Sequence, residues 1–267
     1  MRAIAAQSNE HFSLDLFHLL SDEHKVIGSI PIVNGWAQIE LEVKRAPNSS
    51  QQLEFFASLA SLRDALTSLG SLKTWYFLHK SPGLKLRFRI DQGECEALNC
   101  ILDRLAAWRW SWLGQIRFGS FFDQTELLGG FHRDDIDALL TASANVYLDS
   151  ISHSQQADRA AWAIFTVGFL STFISDRWIV WETLGRFLRL RGSALAADVT
   201  VQDVFADPHP ILARIRDFQI IQPGFEASVS LLQCLNYIFN MWAIDAASQS
   251  AILEQARNLV RPEIAIP

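Results

Sequence analysis

Residues 73–90 read KTWYFLHKSPGLKLRFRI, and the fold is decided there. Two strand-like runs, 73–80 and 84–90, flank Ser81-Pro82-Gly83. Proline presets φ and glycine supplies a positive φ, so the stretch predicts a β-hairpin. Side chains alternate faces along a strand. Leu84, Leu86, Phe88 and Ile90 therefore share one face, and Lys85, Arg87 and Arg89 share the other. On the first strand, Trp75, Phe77 and His79 lie together.

Upstream, residues 36–43 (WAQIELEV) alternate apolar and polar, as a half-buried strand does. Residues 46–50 (APNSS) read as a loop in which Asn48 or Ser49 caps a helix over 51–69, with Gly70 as its stop. Downstream, 94–108 predicts a helix and 112–122 a further strand, where the sheet ends. From His132 on, the helical period dominates, over 134–148, 157–174, 179–190, 210–218, 225–242 and 248–260. Residues 192–210 form the longest irregular segment. Strands first and helices later predict an α+β fold: a small antiparallel sheet with helices in the N-terminal half, and a mostly helical C-terminal half. There is no glycine-rich turn of the dinucleotide or phosphate type.

The chain has 267 residues, 49% of them hydrophobic, with mean hydropathy +0.11 and a formal charge of −6. That composition excludes disorder. The negative balance speaks against nucleic acid or an anionic membrane as partner. Cys95, Cys100 and Cys234 form no C-x-x-C, so neither a disulfide framework nor a zinc site is expected. The N-terminal apolar run is too short for a signal peptide, and the apolar stretch 160–174 is short of the ~20 residues that span a bilayer. The expectation is a soluble cytoplasmic protein forming one domain over 1–267.

Three features could carry chemistry. Lys85, Arg87 and Arg89 on one strand face repel unless something anionic or carbonyl-rich answers them, and arginine offers a planar fork of donors. The plain alternative is a solvated face paired to Asp91 or Glu94. Arg117 extends this surface, with Gln115 and Gly119 on its own face. His79 could serve as a general acid or base near neutral pH, or simply pack. Residues 231–244 (LLQCLNYIFNMWAI) predict a buried helix on which Gln233, Asn236 and Asn240 fall at i, i+3 and i+7. Such amides need hydrogen-bond partners, supplied either by a structural network or by a ligand in a cleft. His132-Arg133-Asp134-Asp135 predicts a helix start with an aspartate cap, and His209 between Pro208 and Pro210 a rigid loop. No nucleophile elbow or metal-ligand spacing is present.

The hairpin TWYFLHKSPGLKLRFRI resembles the signature of lantibiotic-dehydratase C-terminal domains, which also marks stand-alone thiopeptide-type bacteriocin biosynthesis proteins. The resemblance is specific over residues 75–88. It implies a cofactor-independent enzyme that tailors a ribosomally made precursor peptide, leader plus dehydrated core, alongside other enzymes of its pathway. In split dehydratases the domain eliminates glutamate from glutamylated Ser/Thr. In thiopeptide pathways a relative joins two dehydroalanines by formal (4+2) cycloaddition, builds a pyridine and expels the leader. Leu127-Leu128-Gly129-Gly130 sits where the family has Glu-x-x-Arg-Tyr-Gly-Gly, Tyr147-Leu148-Asp149-Ser150 resembles its Asp-Ser pair, and Asn236 to Met241 resembles its His-x-x-x-Asn-Arg helix.

The departures are chemical. The first hairpin arginine of the family is Lys85 here, and the second is kept as Arg87. The arginine before Gly-Gly is Leu127, the late histidine is Asn236 and the late arginine is Met241. Asparagine exchanges no proton at neutral pH, and leucine binds no glutamate. The resemblance therefore implies the cycloaddition. Lys85, Arg87 and Arg117 would contact peptide carbonyls, Gln233, Asn236 and Asn240 would orient backbone groups, and His79 or Tyr76 would donate protons. Glutamate elimination and non-catalytic peptide binding are the alternatives.

Overall fold

The structure, a computed structural model, describes residues 4–8, 11–15, 20–21, 24–27, 30–33, 35–80, 83–91, 94–119, 133–152, 157–190, 204–205, 207–215 and 225–262. The chain divides into two compact units, Met1–Asp123 and Gln124–Pro267.

Unit 1 carries β1 (Ile4–Ser8), β2 (His11–Asp15), β3 (Leu20–Ser21), β4 (His24–Ile27), β5 (Ile30–Val33), β6 (Trp36–Val43), α1 (Ser49–Ser68), β7 (Leu72–Lys80), β8 (Gly83–Ile90), α2 (Glu94–Ala107) and β9 (Leu113–Gly119). The hairpin forms: β7 and β8 run antiparallel, with Tyr76 opposite Arg87 and Phe77 opposite Leu86. Its Ser81-Pro82 corner lies outside the described residues. Gly83 does not take the positive φ expected of it; it opens β8, where a Cβ would collide with the Leu41 carbonyl. β6 lies between β8 and β9, antiparallel to both. Beyond β9 the sheet continues through β4, which pairs with it in parallel, and through β5, β2 and β1 on the far end of β6. Among the described residues the sheet has nine strands, more than the sequence predicted.

α1 starts as a capping box. The Asn48 side chain accepts from the Gln51 backbone N–H, and the Gln51 side chain accepts from Asn48 N–H. Gly70, at φ +69°, ends the helix in the left-handed region that suits glycine. α1 covers the apolar face of the sheet through Phe56, which meets the Phe77 ring at 5.6 Å. Leu59, Leu62, Phe77, Leu86, Phe88, Leu98 and Ile101 are fully buried.

Unit 2 holds α3 (Arg133–Ser152), β10 (Ala157–Asp158), α4 (Arg159–Phe173), α5 (Arg177–Leu190), β11 (Val204–Phe205), α6 (His209–Ile215), α7 (Phe225–Met241) and α8 (Ala246–Leu259). The α+β class is as expected. Two local expectations are corrected. Asp134 and Asp135 lie inside the first turn of α3, where carboxylates favour the helix dipole, and neither caps it. His209 opens α6, its Nδ1 2.7 Å from Asp207 Oδ1, and is not part of a loop. Most of the expected irregular segment lies outside the described residues. Within it, β11 pairs with β10 in a two-stranded sheet. Trp162, Phe165, Phe239 and Trp242 build the core of unit 2, with the Trp162 and Trp242 rings at 5.0 Å. No helix among the described residues is long and apolar enough to cross a membrane.

Candidate functional site

On the sheet face opposite α1, three strands contribute to one network around Arg87. Alternation along β8 sends Arg87 there, and antiparallel pairing sets it between Tyr76 on β7 and Gln38 on β6. Arg87 Nε donates to Gln38 Oε1 at 2.9 Å, and Nη1 donates to Tyr76 Oη at 2.8 Å. The guanidinium lies 5.4 Å from the Tyr76 ring centroid, and Trp36 meets that ring edge-on at 5.6 Å. Gln38 Nε2 donates in turn to Glu40 Oε1 at 2.9 Å, and Lys85 Nζ donates to the same oxygen at 2.5 Å.

Burial makes this network consequential. Arg87 is 7% exposed, Gln38 3% and Tyr76 2%. An arginine stays charged, so a buried one is stable only when its donors are satisfied. Here two donors meet neutral oxygens across neighbouring strands, fixing the guanidinium plane. Lys85 is more open, its side chain 26% exposed and balanced by Glu40.

Arg117 stands opposite Glu40 on β9 but is exposed, and its guanidinium donates to Gln115 of its own strand, from Nε at 3.0 Å. Gly119 lets β9 approach: a Cβ there would stand 2.9 Å from Gln38 Nε2 and 3.0 Å from Glu40 Oε1. The face thus sets Lys85, Arg87, Arg89 and Arg117 against Glu40 and Glu42.

His79 is not with this network. It lies on the other face of β7, its ring 6.4 Å from Phe56 and 5.9 Å from Phe77. Its Nε2 is shut off from solvent, and burial lowers its pKa to about 4. The imidazole is therefore neutral at pH 7 and packs with the core, the second of the two readings of it. Tyr76 alone of that pair stands beside Arg87.

The amides sit in unit 2. α7 buries Leu231, Leu235, Ile238, Phe239 and Met241. Gln233, Asn236 and Asn240 share its half-buried side with Tyr237. The helix is thus amphipathic, with the predicted amide stripe half-buried where a buried helix was expected. Behind it, Trp242 Nε1 donates to Ser143 Oγ at 3.0 Å. Cys234 is buried, and its thiol is pushed up to about 12, so it is no nucleophile at neutral pH. Leu127 to Gly130 lie outside the described residues.

Sequence reasoning missed Gln38 and Glu40. The alternation of WAQIELEV put them on one face, but only the pairing of β6 with β8 sets them against Arg87 and Lys85. It also missed Asp137 of α3, a carboxylate 1% exposed in unit 2. No group of residues that could hold a metal ion occurs among the described residues.

The fold is similar to part of a solved structure, the tRNA-dependent lantibiotic dehydratase MibB from Microbispora sp. 107891. The TM-score is 0.59 at 17% identity, over 85% of this chain and 28% of that one. The chain therefore spans little more than a quarter of that protein, and at this identity the likeness is one of fold. No family model matches the sequence, and no curated protein matches it.

Proposed function

We propose that the chain is a peptide-tailoring enzyme of ribosomal peptide biosynthesis, acting as one functional domain on a dehydroalanine-containing precursor. The reaction is a formal (4+2) cycloaddition to a six-membered nitrogen heterocycle with expulsion of the leader. Two C–C bonds close the ring, one between the two dehydroalanine methylene carbons and one from the imidate carbon to the α-carbon of the second dehydroalanine, and the ring nitrogen is the amide nitrogen already present. Water leaves, then the leader amide, so the aromatic ring forms without an oxidant. The observation that carries this reading is Arg87, buried and fixed between Gln38 and Tyr76. The similarity to a lantibiotic dehydratase supports the substrate class.

A face rich in fixed donors suits a reaction governed by positioning and polarisation. Arg87 and Lys85 polarise the amide carbonyl that becomes the imidate-like partner. Tyr76 hands on the proton as water and the leader amide leave. Arg117, at the exposed side of the face, holds peptide carbonyls. Gln233, Asn236 and Asn240 orient backbone groups of the substrate.

Intact-mass spectrometry of a dehydroalanine-bearing precursor, with and without the protein, tests the reading. The expected product has lost water and the leader amide and absorbs like a pyridine. Release of glutamate from a glutamylated precursor would replace this reading by elimination. Binding without any mass change would replace it by a non-catalytic presenter.

A further inference from the structure

On the helical side of unit 1, away from Arg87, α1 and the end of α2 leave an open cleft of about 550 Å³. Its floor is indole. Trp108 is 4% exposed and Trp110 half-buried, their rings 5.4 Å apart. Phe55 meets both in T-shaped contacts at 5.5 Å. The rim is charged, with Arg104 and Arg109 against one carboxylate, Glu54. All three are exposed. Arg104 Nη1 donates to Ser61 Oγ at 3.1 Å, which places the guanidinium without neutralising it. Arg45 Nη2 donates to Ser111, the residue after Trp110, at 2.9 Å.

A local excess of arginine in a chain of net charge −6 selects for an acidic ligand. The guanidinium fork matches carboxylates, and indole faces bury apolar side chains at little conformational cost. The shape selects further. Small molecules are held where most of their surface is enclosed, whereas this cleft is open along its helices. A chain passing through it fits better.

We propose that the cleft docks an acidic peptide segment, an apolar side chain seated on Trp108 and Trp110 and its carboxylates held by Arg104 and Arg109. That the segment belongs to the enzyme's substrate rests on the peptide-tailoring reading. The docking itself does not.

Fluorescence anisotropy with the full chain tests this. The probe is a fluorescein-labelled synthetic peptide alternating glutamate with leucine and phenylalanine. A second peptide has glutamine at each glutamate. The acidic peptide is expected to bind at least about tenfold more tightly than the glutamine peptide, and Arg104→Gln with Arg109→Gln to abolish that difference. Trp110→Ala is expected to weaken both peptides, and Arg87→Gln to bind as the parent does. Circular dichroism checks that each variant is folded, the exposed Arg104 and Arg109 changes being expected to leave the fold intact and Arg87→Gln being compared at a temperature where it is folded. Pairing Arg109→Glu with a lysine peptide is expected to restore binding. Binding unchanged in the double variant, or lost in Arg87→Gln instead, overturns the cleft. Docking with no mass change in the precursor assay would sink the catalytic reading alone.

Discussion

The two faces of the β6–β9 sheet are buried to similar depth by opposite physics. On one, Phe77, Leu86 and Phe88 are 0% exposed, and Phe56 of α1 packs against Phe77. On the other, Gln38, Tyr76 and Arg87 are almost as inaccessible but are held by directed hydrogen bonds. Apolar burial scales with area and tolerates reshaping of similar volume. A buried polar network specifies geometry and fails badly when one member is removed. The first face holds the sheet, and the second fixes the orientation of a charge.

Breaking the apolar face gives the largest effect on folding. Phe77→Ala should cost about 3–5 kcal/mol in urea unfolding, the range for truncating a large buried aromatic. Arg87 bonding in any folded fraction should be unaffected. A loss below about 1 kcal/mol would mean that the face is looser than its burial indicates.

The same face carries a pH signature. His79 is lowered from 6.5 to about 4 by burial, so between those values the unfolded chain binds a proton that the folded chain refuses. Its contribution to stability is complete above pH 6.5 and is lost as pH falls toward 4. Each pH unit in that window removes on the order of 1 kcal/mol. His79→Phe should flatten this part of the stability profile and leave product formation at pH 7 unchanged. A steep activity loss at neutral pH would return His79 to the chemistry.

How much of this could be read from the sequence follows from the same contrast. The hairpin was legible because Pro82-Gly83 and strict alternation are local signals. The cap at Asn48 and the stop at Gly70 were legible for the same reason. Strands β1 to β5 were not, since short strands with mixed composition take their identity from their neighbours. Gln38 escaped because its role exists only across a strand pair 49 residues apart in sequence. For His79 both readings stayed open, since period 2 told its face but not that Phe56 would close over it. The stripe of Gln233, Asn236 and Asn240 was legible, and its partial exposure was not.

Breaking the polar face should separate activity from stability. Arg87→Met keeps the length of the side chain and removes its donors, leaving Gln38 Oε1 and Tyr76 Oη without them. The expected cost is about 1–3 kcal/mol in urea unfolding, as for buried acceptors deprived of a partner. Product formation should fall far more than this loss of folded protein explains. A variant that unfolds more easily yet turns over normally when folded would make Arg87 purely structural.

The smallest effect sharpens the comparison most, because it concerns the part of the network that meets solvent. Lys85 and Glu40 form an ion pair whose side chains are 26% and 35% exposed. Pairs of that exposure contribute about 1 kcal/mol or less, and salt weakens them further. Lys85→Met should therefore barely move the urea midpoint. If Lys85 polarises a substrate carbonyl, the same change should lower kcat while KM changes little, and Lys85→Arg should restore part of it. If the pair only ties β6 to β8, the two variants should match the parent in kcat. A charge fixed deep in the face and a second one left mobile at its rim would then divide the labour, Arg87 setting geometry and Lys85 following the reacting carbonyl.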